Sequence, residues 1–176
     1  MIYKQILQPD EVEELNSLYI NQCHSGISNL VTGQREYCDI NLSEHMITKR
    51  LNTVLNDYFP GYLLDMYRRY AFGRYGRFYS HLYGSVKPHT DVNHDNKSNY
   101  TILIYLTDDF VGGQLSIKTK RPDEERLLSE PDKYHKVFTI TPKIGYGVIF
   151  KKDLIHYAQE CFGSKNFLLI HMYYND

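Results

Sequence analysis

The sequence predicts an α+β protein that is mainly β: a double-sheet jelly roll supported by N-terminal helices. Two segments before residue 60 carry apolar residues at helical spacing. After residue 61 the pattern changes to short β-branched and aromatic runs parted by turn signals. The chain also holds 17 tyrosines and no tryptophan, and tyrosine suits pleated, half-polar surfaces.

Pro9 and Asp10 signal the start of the first helix, with Val12, Leu15, Leu18 and Tyr19 on one stripe. Ser43 is the expected N-cap of the second, in which Ile47, Leu51, Val54, Leu55 and Tyr58 recur at three and four residues before Pro60-Gly61 stops it. Strands are expected at 63–72 and 78–83, with a turn over 73–76 between them. Further strands are expected at 100–106, 115–118, 136–140, 146–150 and 167–173. Gly112-Gly113 reads as a tight turn entering a strand. The charged stretch 120–133, which holds two prolines, reads as an exposed loop, and no internal repeat is visible.

A length of 176 residues suits one domain over 1–176, with 1–60 as helical support and 61–176 as jelly-roll core. A net charge of −1 gives no global field for nucleic acid or an anionic membrane. Cys23, Cys38 and Cys161 are odd in number and far apart, which suggests reduced thiols in a cytoplasmic protein and not a disulfide or zinc framework. The N-terminus lacks the apolar run of a signal peptide, and no stretch is long and apolar enough for a membrane span.

The chemistry-bearing residues are His89, Asp91 and His156. On a strand, residues two apart point to one side, so His89 and Asp91 can share an ion, with His156 as candidate third ligand. Two imidazoles and one carboxylate on one face of an octahedral metal leave three positions open. Of the other histidines, His81 and His171 lie on strands that can face the same pocket. His94 sits with Asp95 in a polar loop over 92–99, and His24, His45 and His135 have no convergent partners. His171 reads more simply as a hydrogen-bonded pocket-wall residue than as a ligand. On the strand 100–106, Thr101, Leu103 and Tyr105 share a face, so two polar groups there need partners. Lys165 shares a face with Phe167, Leu169 and His171, and aimed inward it would need an anion. Taken alone, Lys165 is a loop lysine after Gly163-Ser164.

These stretches resemble the 2-oxoglutarate/Fe(II)-dependent dioxygenases, and among them the prolyl 4-hydroxylase-like branch. The resemblance rests on Tyr83 through His89-Thr-Asp91, on 100–107, on Gly112-Gly113-Gln-Leu, and on Pro142 through Lys165 to Met172-Tyr173. It covers roughly residues 60–174 and implies a double-stranded β-helix. It implies that His89, Asp91 and His156 hold iron, and that Lys165 anchors the distal carboxylate of 2-oxoglutarate. Tyr105 would hydrogen-bond that carboxylate, Thr101 would line its pocket, and Tyr83, ahead of a shortened loop, would contact the co-substrate. The implied cofactor set is Fe(II), 2-oxoglutarate and O2, with ascorbate as an accessory reductant. Two departures stand out: a lysine, which binds as a point charge, replaces the arginine fork of some relatives, and His171 stands where several carry tryptophan.

The reaction implied is hydroxylation of a substrate C–H bond with decarboxylation of 2-oxoglutarate to succinate, most simply on a prolyl or other peptidyl residue. The arginines and tyrosines of 67–77 and the segments 92–99 and 120–133 would flank the entrance. Hydroxylation of a free amino acid or small metabolite, nucleobase demethylation, and a non-catalytic jelly-roll binding module are the alternatives. No arginine follows Arg126, which disfavours the demethylase, so peptide or protein is the expected partner, a small molecule the second, and nucleic acid the least. A zinc hydrolase would need a general base that no HExxH-type motif supplies.

Overall fold

The computed structural model describes residues 1–19, 24–25, 31–41, 46–58, 62–64, 75–91, 100–119 and 136–174. Two helices, α1 (Pro9–Tyr19) and α2 (Met46–Leu55), are interleaved with β1 (Ile2–Gln5), β2 (His24–Ser25) and β3 (Gln34–Asn41). Then follow β4 (Tyr62–Leu64), β5 (Tyr75–His89), β6 (Tyr100–Tyr105), β7 (Phe110–Gly112), β8 (Leu115–Thr119), β9 (Lys136–Ile140), β10 (Tyr146–Lys151) and β11 (His156–Tyr174). The fold is mainly β, as the sequence predicts, but the first sixty residues supply three strands as well as both helices.

All pairings are antiparallel, and the main path runs β1-β10-β6-β11-β5-β3-β2. Strand β11 joins two layers. Its C-terminal half pairs with β6 and β4, while its N-terminal half pairs with β8 and β7, and β5 follows it through both. Three register shifts along the β5–β11 ladder mark the bend, which is where bulges increase strand curvature. Gly84 (φ 109°) sits within it, and a Cβ there would lie 1.8 Å from the carbonyl oxygen of Thr32.

Side-chain alternation on the strands then makes two cores. Ile102, Ile104, Leu106, Ile149, Leu168, Ile170 and Met172 face the helices and meet Val12, Leu15, Ile47, Leu51 and Leu55. The opposite residues, Leu103, Tyr105, Val148, Phe150 and Phe167, meet Leu115, Ile117 and Ile140 of the second layer. The result is helices on a major sheet, with a minor sheet closing the other face as a double-stranded β-helix.

Several expectations change in detail. Leu18 is 45% exposed, because it lies about 120° around the axis from Val12. Asn16 takes the inward place and donates to the Leu106 carbonyl at 2.7 Å. Tyr58 lies past the end of α2 and is exposed. Glu11 accepts from the Gln8 backbone N–H at 2.8 Å, so a side-chain cap reinforces the Pro9 start of α1. Tyr75-Gly76, expected in a turn, opens β5 opposite Asn41 and Ile40. Ser43, Pro60-Gly61, residues 65–74 and the segments 92–99 and 120–133 lie outside the described residues.

Candidate metal centre

Two adjacent strand ends bring the candidate ligands together. His89 closes β5 directly opposite His156, which opens β11, and side chains paired across a ladder share a face. The ring centroids are 4.2 Å apart. The chain leaves β5 with the Asp91 N–H donating to the Lys152 carbonyl at 2.9 Å. That turns the carboxylate toward both rings, 3.7 Å from His89 Nε2 and 3.6 Å from His156 Nε2. One ligand atom from each residue lies within 4.8 Å of the others.

The hydrogen bonds behind these groups orient them for an ion. His89 Nδ1 lies 2.8 Å from the Lys87 carbonyl and His156 Nδ1 lies 3.0 Å from the Leu154 carbonyl. A carbonyl only accepts, so each Nδ1 carries the proton and each Nε2 presents a lone pair toward Asp91. Burial lowers the His156 pKa, against the pull of Asp91, and favours the neutral, ligating ring. Fully buried Thr101 donates to Asp91 Oδ2 at 2.6 Å. Thr101 was expected to line the co-substrate pocket; its hydroxyl instead holds the candidate ligand carboxylate, because residue 101 sits at the β6 end beside Asp91.

Behind this cluster one face of the sheet is a grid of registered rows. Arg35, His81 and Lys165 form one row across β3, β5 and β11. Tyr37, Tyr79, Phe167 and Tyr105 form the next, which extends to β6, and Asp39, Arg77, Leu169 and Leu103 the third. His171 lies opposite Thr101. Lys165, read from sequence as the start of the last strand, is in the middle of β11 and only 3% exposed. Its Nζ donates to the Gly113 carbonyl at 2.6 Å and lies 5.8 Å from the Tyr105 and Phe167 ring centroids. Burial, with Arg35 adding to it, lowers its pKa to about 8 against the pull of Cys161. The Tyr105 hydroxyl is buried without a hydrogen-bond partner among the described residues, and burial raises its pKa. An unpartnered hydroxyl and a buried ammonium at one ring-lined place fit a carboxylate.

Other expected residues fall elsewhere. Tyr83 is half exposed opposite Phe162. Tyr79, on β5, is stacked on Phe167 at 5.0 Å. His81 is buried beside Lys165, with its pKa lowered by burial and by Arg35. His171 keeps a buried Nδ1 without a partner among the described residues. Cys38 and Cys161 are buried and neither is in a disulfide. The backbone of His24 is in β2, while Cys23, His45, His94, Asp95 and His135 lie outside the described residues. Of the basic segment 67–77, Arg77 is described, and it forms a bidentate pair with Asp39 at 2.6 and 3.1 Å. Sequence reasoning missed Arg35 and Tyr79. The alternation of Arg35, Tyr37 and Asp39 was the available signal, hidden by the polarity of the strand.

A family model described as the 2OG-Fe(II) oxygenase superfamily matches residues 74–173, more than half of the chain. The chain belongs to that superfamily. This oxygenase thus works with Fe(II) and 2-oxoglutarate, and its donor set of two imidazoles and a carboxylate suits the ion. No curated protein matches it significantly. Among solved structures it resembles HygX from Streptomyces hygroscopicus with nickel and 2-oxoglutarate bound, at 10% identity and a TM-score of 0.66, over 99% of this chain and 82% of that one. It also resembles a Pseudomonas putida prolyl-4-hydroxylase, at 13% identity and a TM-score of 0.61, over 99% and 93% of the two chains. A third is the Trichoplax adhaerens prolyl hydroxylase in complex with a hypoxia inducible factor peptide fragment, at 14% identity and a TM-score of 0.62, over 98% and 82%. At these identities the likeness is one of fold. No helix among the described residues is long and apolar enough to cross a membrane.

Proposed function

We propose that this oxygenase hydroxylates a prolyl or other peptidyl residue, with His89, Asp91 and His156 holding Fe(II) and Lys165 and Tyr105 receiving the distal carboxylate of 2-oxoglutarate. The observation that carries the reading is the convergence of two Nε2 lone pairs and one carboxylate within 4.8 Å at two adjacent strand ends. Bound there, Fe(II) would supply the redox chemistry that couples 2-oxoglutarate and O2 to substrate hydroxylation, with succinate and carbon dioxide as co-products. The chain's own work is positioning. The Lys87 and Leu154 carbonyls fix the two imidazoles, Thr101 fixes Asp91, and the apolar walls of Phe150, Phe167 and Leu103 keep water from the reacting centre. The peptidyl substrate is supported by the shared fold with prolyl hydroxylases. Hydroxylation of a small metabolite is the second reading, supported by the equal likeness to HygX, solved also with hygromycin B bound.

The test is succinate release from 2-oxoglutarate by anaerobically purified, Fe(II)-loaded protein exposed to oxygen, with proline-rich peptides added. His89→Ala should abolish turnover and Lys165→Ala should weaken it through KM. Failure of the Fe(II) protein to bind 2-oxoglutarate at all would overturn the site assignment. Binding with no peptide-stimulated turnover would move the substrate to the small-molecule class.

A further inference from the structure

Arg35 and Arg77 stand in neighbouring rows of the sheet, and they are not equivalent. Arg77 is neutralised by Asp39. Arg35, one row closer to Lys165, forms an ion pair with no carboxylate among the described residues, and its buried Nε has no hydrogen-bond partner there. Its guanidinium lies 3.6 Å from the Tyr79 ring centroid and 5.4 Å from that of Phe167. The Lys165 ammonium lies 5.8 Å from the same Phe167 ring. A part-buried guanidinium with a buried Nε and a buried ammonium therefore lie near one aromatic ring, with buried His81 between them in the row. A guanidinium held against an aromatic face leaves its in-plane donors directed sideways, the geometry that meets a carboxylate with two bonds.

Charge counting sharpens the point. One dicarboxylate, with its near end at the metal and its far end on Lys165, would leave Arg35 unpaired. Resting on the function proposed above, we propose that Arg35 is a second carboxylate-binding group of this oxygenase, seating a carboxylate at the Tyr79–Phe167 pair. Two sources share that chemistry: a carboxylate of the prime substrate, which would make that substrate an acid, or the far end of 2-oxoglutarate shared with Lys165.

The experiment uses 15N-labelled, Zn(II)-loaded protein and follows the Arg35 Nε–H resonance, identified by its loss in Arg35→Lys. One arm titrates 2-oxoglutarate. The other titrates acetate, with acetamide as neutral control, into the protein with and without saturating 2-oxoglutarate. The Arg35 signal should move in one arm, and Arg35→Gln should weaken that arm's calorimetric Kd by about tenfold or more. Movement with 2-oxoglutarate assigns the carboxylate to the co-substrate. Movement with acetate on the 2-oxoglutarate-saturated protein, and not with acetamide, assigns it to the prime substrate. A signal that stays still in both arms, with Kd values in Arg35→Gln within about twofold of wild type, overturns the proposal and leaves Arg35 a brace for the aromatic pair. Wild-type protein that binds no 2-oxoglutarate would sink the functional reading instead, and the acetate arm on the Zn(II) protein alone would still decide Arg35.

Discussion

Thr101 and Lys165 show how single side chains set the chemistry of the candidate site. Thr101 spends its hydroxyl on Asp91 Oδ2, so Thr101→Val keeps the shape and removes the donor. Outer hydrogen-bond partners of metal ligands typically contribute about 10–100-fold to affinity. The variant should therefore fold and bind Co(II) weaker by about that factor in a spectroscopic titration; unchanged affinity would mean that Asp91 is oriented by its backbone alone. Lys165 makes a pH prediction. Its folded pKa is about 8, below its ordinary 10.5, so between those values the unfolded chain binds more protons than the folded one. Stability then rises with pH across that window. Burying the charged ammonium costs roughly 3 kcal/mol below pH 8, a cost that Lys165→Met escapes. Without ligand, the variant should be the more stable protein at pH 7, and the gap should close toward pH 10.5 in urea melts. Affinity for 2-oxoglutarate should fall in wild type as pH passes about 8, where the ammonium loses its proton. At this scale the sequence picked out residues that the structure brings together, His89, Asp91 and His156 in one cluster and Lys165 buried behind them. It was silent where placement depends on register, as with Thr101 beside Asp91 or Tyr79 stacked on Phe167.

Strand β11 is the element on which the fold turns, and its N-terminal half is the part the sequence concealed. Gly163 and Ser164 look like a loop, and the run 156–162 alternates too irregularly to read as a strand, yet a single chain of 19 residues passes through both sheets. It does so because bulges absorb three register shifts against β5. Strand β3 was hidden for a different reason. One face of it carries Arg35, Tyr37 and Asp39, a polar alternation that resembles a loop until its pairing with β5 is known. The apolar strands β6, β9 and β10 and both helices were legible because each buries a face against one of the two cores. The bend itself is testable at Gly84. Its φ of 109° and the 1.8 Å approach of the Thr32 carbonyl to any added Cβ exclude a side chain without movement of the backbone. Gly84→Ala should lose at least about 2 kcal/mol in a denaturant melt. Because the bend lies between His89 and the Lys165 row, it should also weaken 2-oxoglutarate binding by the metal-loaded protein. A variant as stable as wild type would mean that the bulge is set by β11 instead.

Across the whole molecule the two cores divide the work, and that division can be measured. The helix-facing core is mainly apolar, with Thr48 and the Asn16–Asn166 pair as its polar members, whereas the core between the sheets carries the Tyr105 hydroxyl, unpartnered among the described residues, the Lys165 ammonium and the Asp91 carboxylate. Stability is therefore held mainly on one side of the major sheet, and on the other it is forfeited to keep charged groups ready. Ligands should return it. A ligand at 100 times its Kd adds about 2.7 kcal/mol to the folded state, which in a chain of this size raises Tm by about 5–10 °C. Metal should come first, because 2-oxoglutarate lacks a seat for its near end until the ion neutralises the imidazole and carboxylate cluster. Hence 2-oxoglutarate alone should move Tm little, Zn(II) alone should move it, and the two together should exceed their sum, the sign of a coupling free energy between the sites. Leu51→Ala, on the helix side and fully buried, should cost about 2–5 kcal/mol and yet leave those ligand-induced shifts intact, since distant sites add independently. If Leu51→Ala also erased the synergy between Zn(II) and 2-oxoglutarate, the major sheet would be transmitting strain between its faces, and the two cores would have to be treated as one.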